Sequence, residues 1–184
     1  MRADKAPGSH AASSRPLRSF AAGNSGNRGF GVHHSVILDA ALAAAAALAC
    51  VIFAAWIYRF NEVPLDVPLA YSGDALYYGA LIKGVIENGW YLHNPSLGAP
   101  FGLDMGPFPM SDNTHFAMLW LIGLFTDEFG SALNVFYLTS FATAAISAFV
   151  SMRWMGLNRL FSLCGAILYS LQAYHFLRGG HLFL

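Results

Sequence analysis

Asp74 is the residue whose setting in this chain best suits chemistry. It stands in Tyr71-Ser72-Gly73-Asp74, at the head of a stretch to Asn88 that reads as a helix. Ser72 is the expected N-cap and Asn88-Gly89 the expected end. The unbonded N–H groups of a first helical turn keep a carboxylate ionised. At a membrane surface such a group can take a proton from an acceptor hydroxyl or hold a cation. It can equally do no more than stabilise the helix end, and propensity alone favours that use.

A second set runs Asn94-Pro95-Ser96-Leu97-Gly98-Ala99-Pro100-Phe101-Gly102, followed by Asp104 and Pro109-Met110-Ser111-Asp112. Glycine and proline at these positions specify turns, so the segment reads as a shaped loop and not as a linker. Asp112, with Asn113 and His115, opens an apolar segment. The pair Asp112 and His115 could contact a substrate, or serve as an N-cap carboxylate and an interfacial histidine. The third set is His175 with Arg178-Gly179-Gly180-His181. Arginine and histidine at an interface suit a lipid phosphate, although snorkelling to headgroups uses the same residues.

Other chemistries find no support. Cys50 and Cys164 lie in apolar stretches with no CxxC or Cys/His cluster, so neither a disulfide framework nor a zinc site is implied. GxGxxG, Walker, GxSxG and HExxH patterns are absent from the chain, which argues against nucleotide cofactors and soluble hydrolase chemistry. The basic residues are scattered through a Gly/Ser/Ala-rich tail, so nucleic acid is not an expected partner.

The elements that must carry these residues belong to a membrane. The run from Ala40 to Tyr58 holds no charge and no amide side chain. A helix of that length spans roughly 28 Å, about the hydrocarbon thickness of a bilayer. Hydrophobic residues make up 56% of the chain and charged residues 11%. That is too little charge for a large solvated surface. The predicted class is all-α: a polytopic bundle of transmembrane helices with an external loop that bears a surface helix.

Residues 1–34 read as a disordered basic tail and 35–59 as the first transmembrane helix, from about Val36 to Tyr58. Residues 60–112 form the external loop with its surface helix at 74–88. There Leu76, Ala80 and Gly84 make a small apolar stripe, and Lys83 and Glu87 pair at i and i+4. Residues 113–184 hold further membrane segments at about 113–125, 129–152 and 160–177. Thr126-Asp127-Glu128 caps the second of these, whose Ser140, Ala144 and Ala148 form a small-residue face. The apolar stretch that reaches Leu184 predicts more chain beyond it.

Charge sets the expected orientation. Arg2, Lys5, Arg15, Arg18 and Arg28 stand against Asp4 before the first span. Glu62, Asp66, Asp74, Glu87, Asp104 and Asp112 stand against Lys83 after it. The positive-inside bias puts the N-terminus in the cytoplasm and the loop outside. If all four segments cross, Arg153 and Arg159 end up outside, against that bias. A short re-entrant 113–125 segment removes the conflict and moves Arg178 and His181 outside, beside the acidic loop.

The ordered set from Tyr71-Ser72-Gly73-Asp74 through Glu87-Asn88-Gly89-Trp90-Tyr91 to Asn94-Pro95 and Gly98-Ala99-Pro100-Phe101-Gly102 resembles the first external loop of bacterial polytopic glycosyltransferases of the GT-C superfamily. The Arg178-Gly179-Gly180-His181 end is similar too, and the likeness covers about 36–184. The resemblance implies transfer of a sugar from a polyprenyl-phosphate carrier to a cell-envelope glycan or lipid acceptor, at the outer face of the bacterial inner membrane. It implies that Asp74 is the catalytic carboxylate, as general base or acceptor-orienting group, and that Arg178 and His181 meet the donor phosphate. Gly73 stands where the commoner form of the motif has a second acid, so a divalent metal is unsupported and no cofactor is expected.

The rival reading is non-enzymatic: a transporter or flippase component, or an assembly subunit that uses its small-residue helix faces. Conduction would want ionisable groups inside the spans. The span interiors offer mainly Asn134, Thr139, Thr143 and Gln172.

Overall fold

The computed structural model describes residues 28–107 and 113–178, with side chains from 35 onward. The elements are helices α1 (Arg28–Ile57) and α2 (Asp74–Asn88), strands β1 (His93–Asn94) and β2 (Leu103–Asp104), and helices α3 (Asn113–Gly123), α4 (Phe129–Trp154), α5 (Arg159–Ser170) and α6 (Ala173–Leu177). The fold is all-α apart from that two-residue strand pair. Among the described residues, three segments are long and apolar enough to cross a membrane: Ser35–Ile57, Phe129–Trp154 and Arg159–Leu177.

Alanine makes α1 both a good helix and a good neighbour. It has the highest helix propensity, and its small side chain lets another helix come close. Ala46, Ala47, Cys50 and Ala54 form a buried stripe that meets Tyr137, Phe141 and Ala145 of α4. Ala43 meets Phe149 and Ala166 further along. The opposite side of α1 leaves Ile37, Leu48, Ile52 and Trp56 exposed. A helix apolar on both its packed and its open face belongs in lipid. The helix starts at Arg28, inside the stretch expected to be a disordered tail. Once a helix is nucleated, each further residue adds a hydrogen bond, so a long alanine helix extends into its polar flank.

Contacts at the helix ends set the directions. Asp39, near the start of the apolar span of α1, meets Arg153 at the end of α4 and Arg159 at the start of α5. Tyr58 just past α1 meets Tyr137 early in α4 and Phe176 in α6. Hence α1 and α5 run the same way and α4 runs against them. Gly156, at φ 89°, turns the chain between α4 and α5. Asn158 then caps α5, its Oδ1 accepting from Phe161 N at 2.9 Å.

The expected continuous helix at 160–177 is broken. Gln172 is extended, at φ −64° and ψ 145°, between α5 and α6. The break frees the carbonyl of Ser170, which accepts from His175 Nδ1 at 2.9 Å. Backbone freed at membrane depth needs such a partner. The hydroxyl of Ser170 donates to Phe141 O at 2.7 Å and ties the break to α4.

Helix α3 has eleven residues. At roughly 16 Å it is too short for a hydrocarbon core of about 30 Å. It lies with α2 against the first turns of α4. Ile82 and Val85 of α2, Phe116 and Leu119 of α3, and Leu133 and Phe136 of α4 form one buried cluster. Arg153 and Arg159 therefore share the bundle end of Asp39, and the long loop covers the other end.

Candidate membrane-surface site

Helix α2 enters through Gly73, whose φ of 58° lies in the left-handed region. Glycine adopts that conformation without strain, and an acidic residue there would not. Gly73 is the N-cap, not Ser72, and no side chain caps the helix. Ala75, Gly79 and Ile82 turn inward; Gly79 sits 3.5 Å from Phe129 by the position its Cβ would take. Asp74 is exposed in the first turn, at the open end of the helix. Lys83 and Glu87 pair at 3.7 Å on the outward face, about half a turn round from Asp74.

A cavity of about 270 Å³ lies between α2 and the start of α4; Asp74 itself does not line it. Tyr71 and Ala75, on either side of Asp74 in sequence, line it with Pro68, Phe129 and Lys83. The Tyr71 phenol thus stands in the wall near the start of α2, while the Lys83 ammonium lies about two and a half turns further along the helix, paired with Glu87. Further along α2, burial pushes the Tyr77 phenol above its ordinary range, with the neighbouring Tyr78 adding to the effect. Tyr77 is therefore a hydrogen-bonding group at neutral pH and not a base.

The loop behind α2 is held by Asn94. Its Oδ1 accepts from Ser96 N at 2.9 Å and from Asn88 Nδ2 at 3.3 Å. Asn94 can lie flat on α2 because residue 84 is glycine: a Cβ there would come within 2.8 Å of Asn94 Nδ2. β1 and β2 pair antiparallel, Asn94 opposite Leu103, and close the loop that contains the cis Ala99–Pro100 bond. Tyr91 stacks on Phe116 at 3.8 Å and donates to Asn113 Oδ1 at 2.8 Å, which joins this loop to α3.

His115 of α3 lines a different, larger cavity of about 410 Å³ on the flank of α4. His175 of α6 lines the same one, with Phe136, Ser140, Thr143 and Tyr169. His175 stacks on Phe141 at 3.9 Å, and its Nε2 lies 2.8 Å from Ser140 Oγ. Arg178 is held locally: Nη1 donates to Tyr174 Oη at 2.7 Å, and the guanidinium lies 5.2 Å from that ring's centre. The fold thus joins His115 with His175, while Asp74 lines neither cavity and only its neighbours Tyr71 and Ala75 face the smaller one. Asp112 and His181 lie outside the described residues. Among the described residues, no three His, Cys, Asp or Glu side chains gather closely enough to hold a metal ion.

Sequence reasoning missed the residue that seats the loop. Asn134, fully buried in α4, donates from Nδ2 to Leu65 O and Val67 O at 2.7 Å each. Its Oδ1 accepts from Leu69 N at 3.0 Å. A lone amide in an apolar helix was the available signal, but its partners are distant in sequence. No family model matches this chain, and no curated protein or solved structure is significantly similar to it.

Proposed function

We propose that this chain belongs to a membrane glycosyltransferase that moves a sugar from a polyprenyl-phosphate-linked donor to a cell-envelope glycan or lipid acceptor. The observation that carries the reading is the position of Asp74: exposed, in the first turn of a helix packed on the start of α4, between two residues that line a small cavity. A carboxylate there reaches both water and the lipid interface. It acts as general base toward the acceptor hydroxyl or holds that hydroxyl in line. His115, Asp112, Arg178 and His181 are the proposed substrate contacts, the last two for the donor phosphate. The chemistry calls for no resident cofactor.

In this reading the protein is a multi-pass protein of the bacterial inner membrane, with a cytoplasmic N-terminus. Charge supports the orientation. Arg153 and Arg159 lie at the bundle end of Asp39, where the apolar run of α1 starts, and the positive-inside bias places that end in the cytoplasm with the N-terminus. The polar residues of the spans speak against conduction. Asn134 is spent on loop backbone, and Thr139 and Thr143 bond carbonyls of their own helix.

One observation favours a second reading, a transporter or flippase component. The α5–α6 break holds a histidine at an open cavity, and interrupted helices often mark binding sites in transporters. The two readings separate in one experiment on the full-length protein. Asp74→Asn is expected to lower sugar transfer by about 10²–10⁴-fold while insertion and abundance stay normal. Wild-type transfer by that variant would remove Asp74 from the mechanism, and solute flux in proteoliposomes without transfer would reverse the ranking.

A further inference from the structure

The opposite end of the bundle carries a charge cluster that sugar transfer does not use. Asp39 Oδ2 accepts from Arg153 Nε at 3.1 Å and Nη2 at 3.0 Å, and Asp39 Oδ1 accepts from Arg159 Nε at 2.6 Å. Arg153 Nη1 also donates to Leu157 O, and Arg159 Nη2 to Ser35 O at 3.4 Å. Two guanidiniums thus share one carboxylate, so the cluster keeps one net positive charge. Arg159 Nη1 makes no hydrogen bond among the described residues, and the Arg159 side chain is 37% exposed. The surroundings are those of a bilayer interface. Trp154 at the end of α4 is 91% exposed, and Leu160 and Phe161 in the first turn of α5 are also open.

We propose that Arg153 and Arg159 bind the phosphate of an anionic phospholipid in the leaflet around this end of the bundle. Arg159 Nη1 supplies the leading donor. The shared carboxylate holds both guanidiniums in place, so little side-chain entropy is lost when the phosphate arrives. Trp154, Leu160 and Phe161 receive the upper part of the acyl chains. Charge-assisted bonds to a phosphodiester satisfy the remaining guanidinium protons in a region where bulk water is scarce. The choice of an anionic lipid follows from the charge balance: a net-neutral headgroup would leave the cluster's surplus charge uncompensated.

Trp154 is a natural reporter of this site. The experiment uses the full chain with Trp56, Trp90 and Trp120 changed to Phe, reconstituted in phosphatidylcholine vesicles. Phosphatidylglycerol with brominated acyl chains is titrated in as quencher, and brominated phosphatidylcholine serves as reference. The expected result is a preference of about fivefold for the anionic lipid at low salt, the size of one extra cation at the surface. High salt lowers it. Arg159→Gln abolishes the preference, and Arg159→Lys retains most of it. Equal quenching by the two lipids in the unsubstituted cluster overturns the proposal, whatever the variants do. So does a preference that survives Arg159→Gln.

Discussion

The two ends of this helix bundle are closed by opposite means. At one end, the closing contact is between side chains: Asp39 with Arg153 and Arg159, across a short turn at Gly156. At the other end, most of the closing contacts join side chains to backbone. Asn134 holds the carbonyls of Leu65 and Val67, Tyr137 donates to His175 O at 2.7 Å, and His175 meets the carbonyl of Ser170. The difference follows from what must be covered. A short turn leaves few orphan backbone groups, so charges can serve as the clamp. A long irregular segment brings many N–H and C=O groups to the membrane boundary, and each needs a partner. The candidate chemistry sits at the second end, where the backbone is shaped and not merely closed.

The largest expected effect tests whether there are two ends at all. With Cys50 and Cys164 replaced by Ala, single cysteines at Glu62 and Met155 are expected to react with an impermeant thiol reagent from opposite faces of the membrane. Labelling of both from the same face would dissolve the three-helix arrangement. Next in size is Asn134→Leu, which leaves two carbonyls and one N–H without their partner. It is expected to cost about 3 kcal/mol, read as a lower unfolding midpoint in detergent and earlier protease cleavage near 63–70. A midpoint within error of the parent would mean that the loop is seated by other contacts. The smallest effect belongs to Lys83→Ala. Its pair with Glu87 is more than half exposed on both sides, so solvent screening limits the change to under about 0.5 kcal/mol. A loss as large as that of Asn134→Leu would give the surface pair a role that its exposure denies.

Much of the frame was legible in order along the chain. The apolar run from Ala40 to Tyr58, the i, i+4 pair Lys83 and Glu87, and the shortness of the segment after Asn113 are all local patterns. The helix from Asp74 to Asn88 could be read from its punctuation, although the cap proved to be Gly73, because a left-handed entry cannot be told from a side-chain cap without the backbone. The break at Gln172 escaped notice. Leu171-Gln172-Ala173 contains no helix breaker, and the interruption depends on Ser170 and His175 finding α4.

What the amino-acid order determined alone was the solvent and the segments: length, hydropathy and turn residues act within a few neighbours and need no partner. What only the tertiary structure decided was pairing. It set Arg153 and Arg159 on one carboxylate, gave Asn134 its three backbone partners, and brought His115 and His175 to one cavity that Asp74 does not line. Such contacts join residues far apart in sequence. Their energy is gained only after the helices between them have been laid side by side.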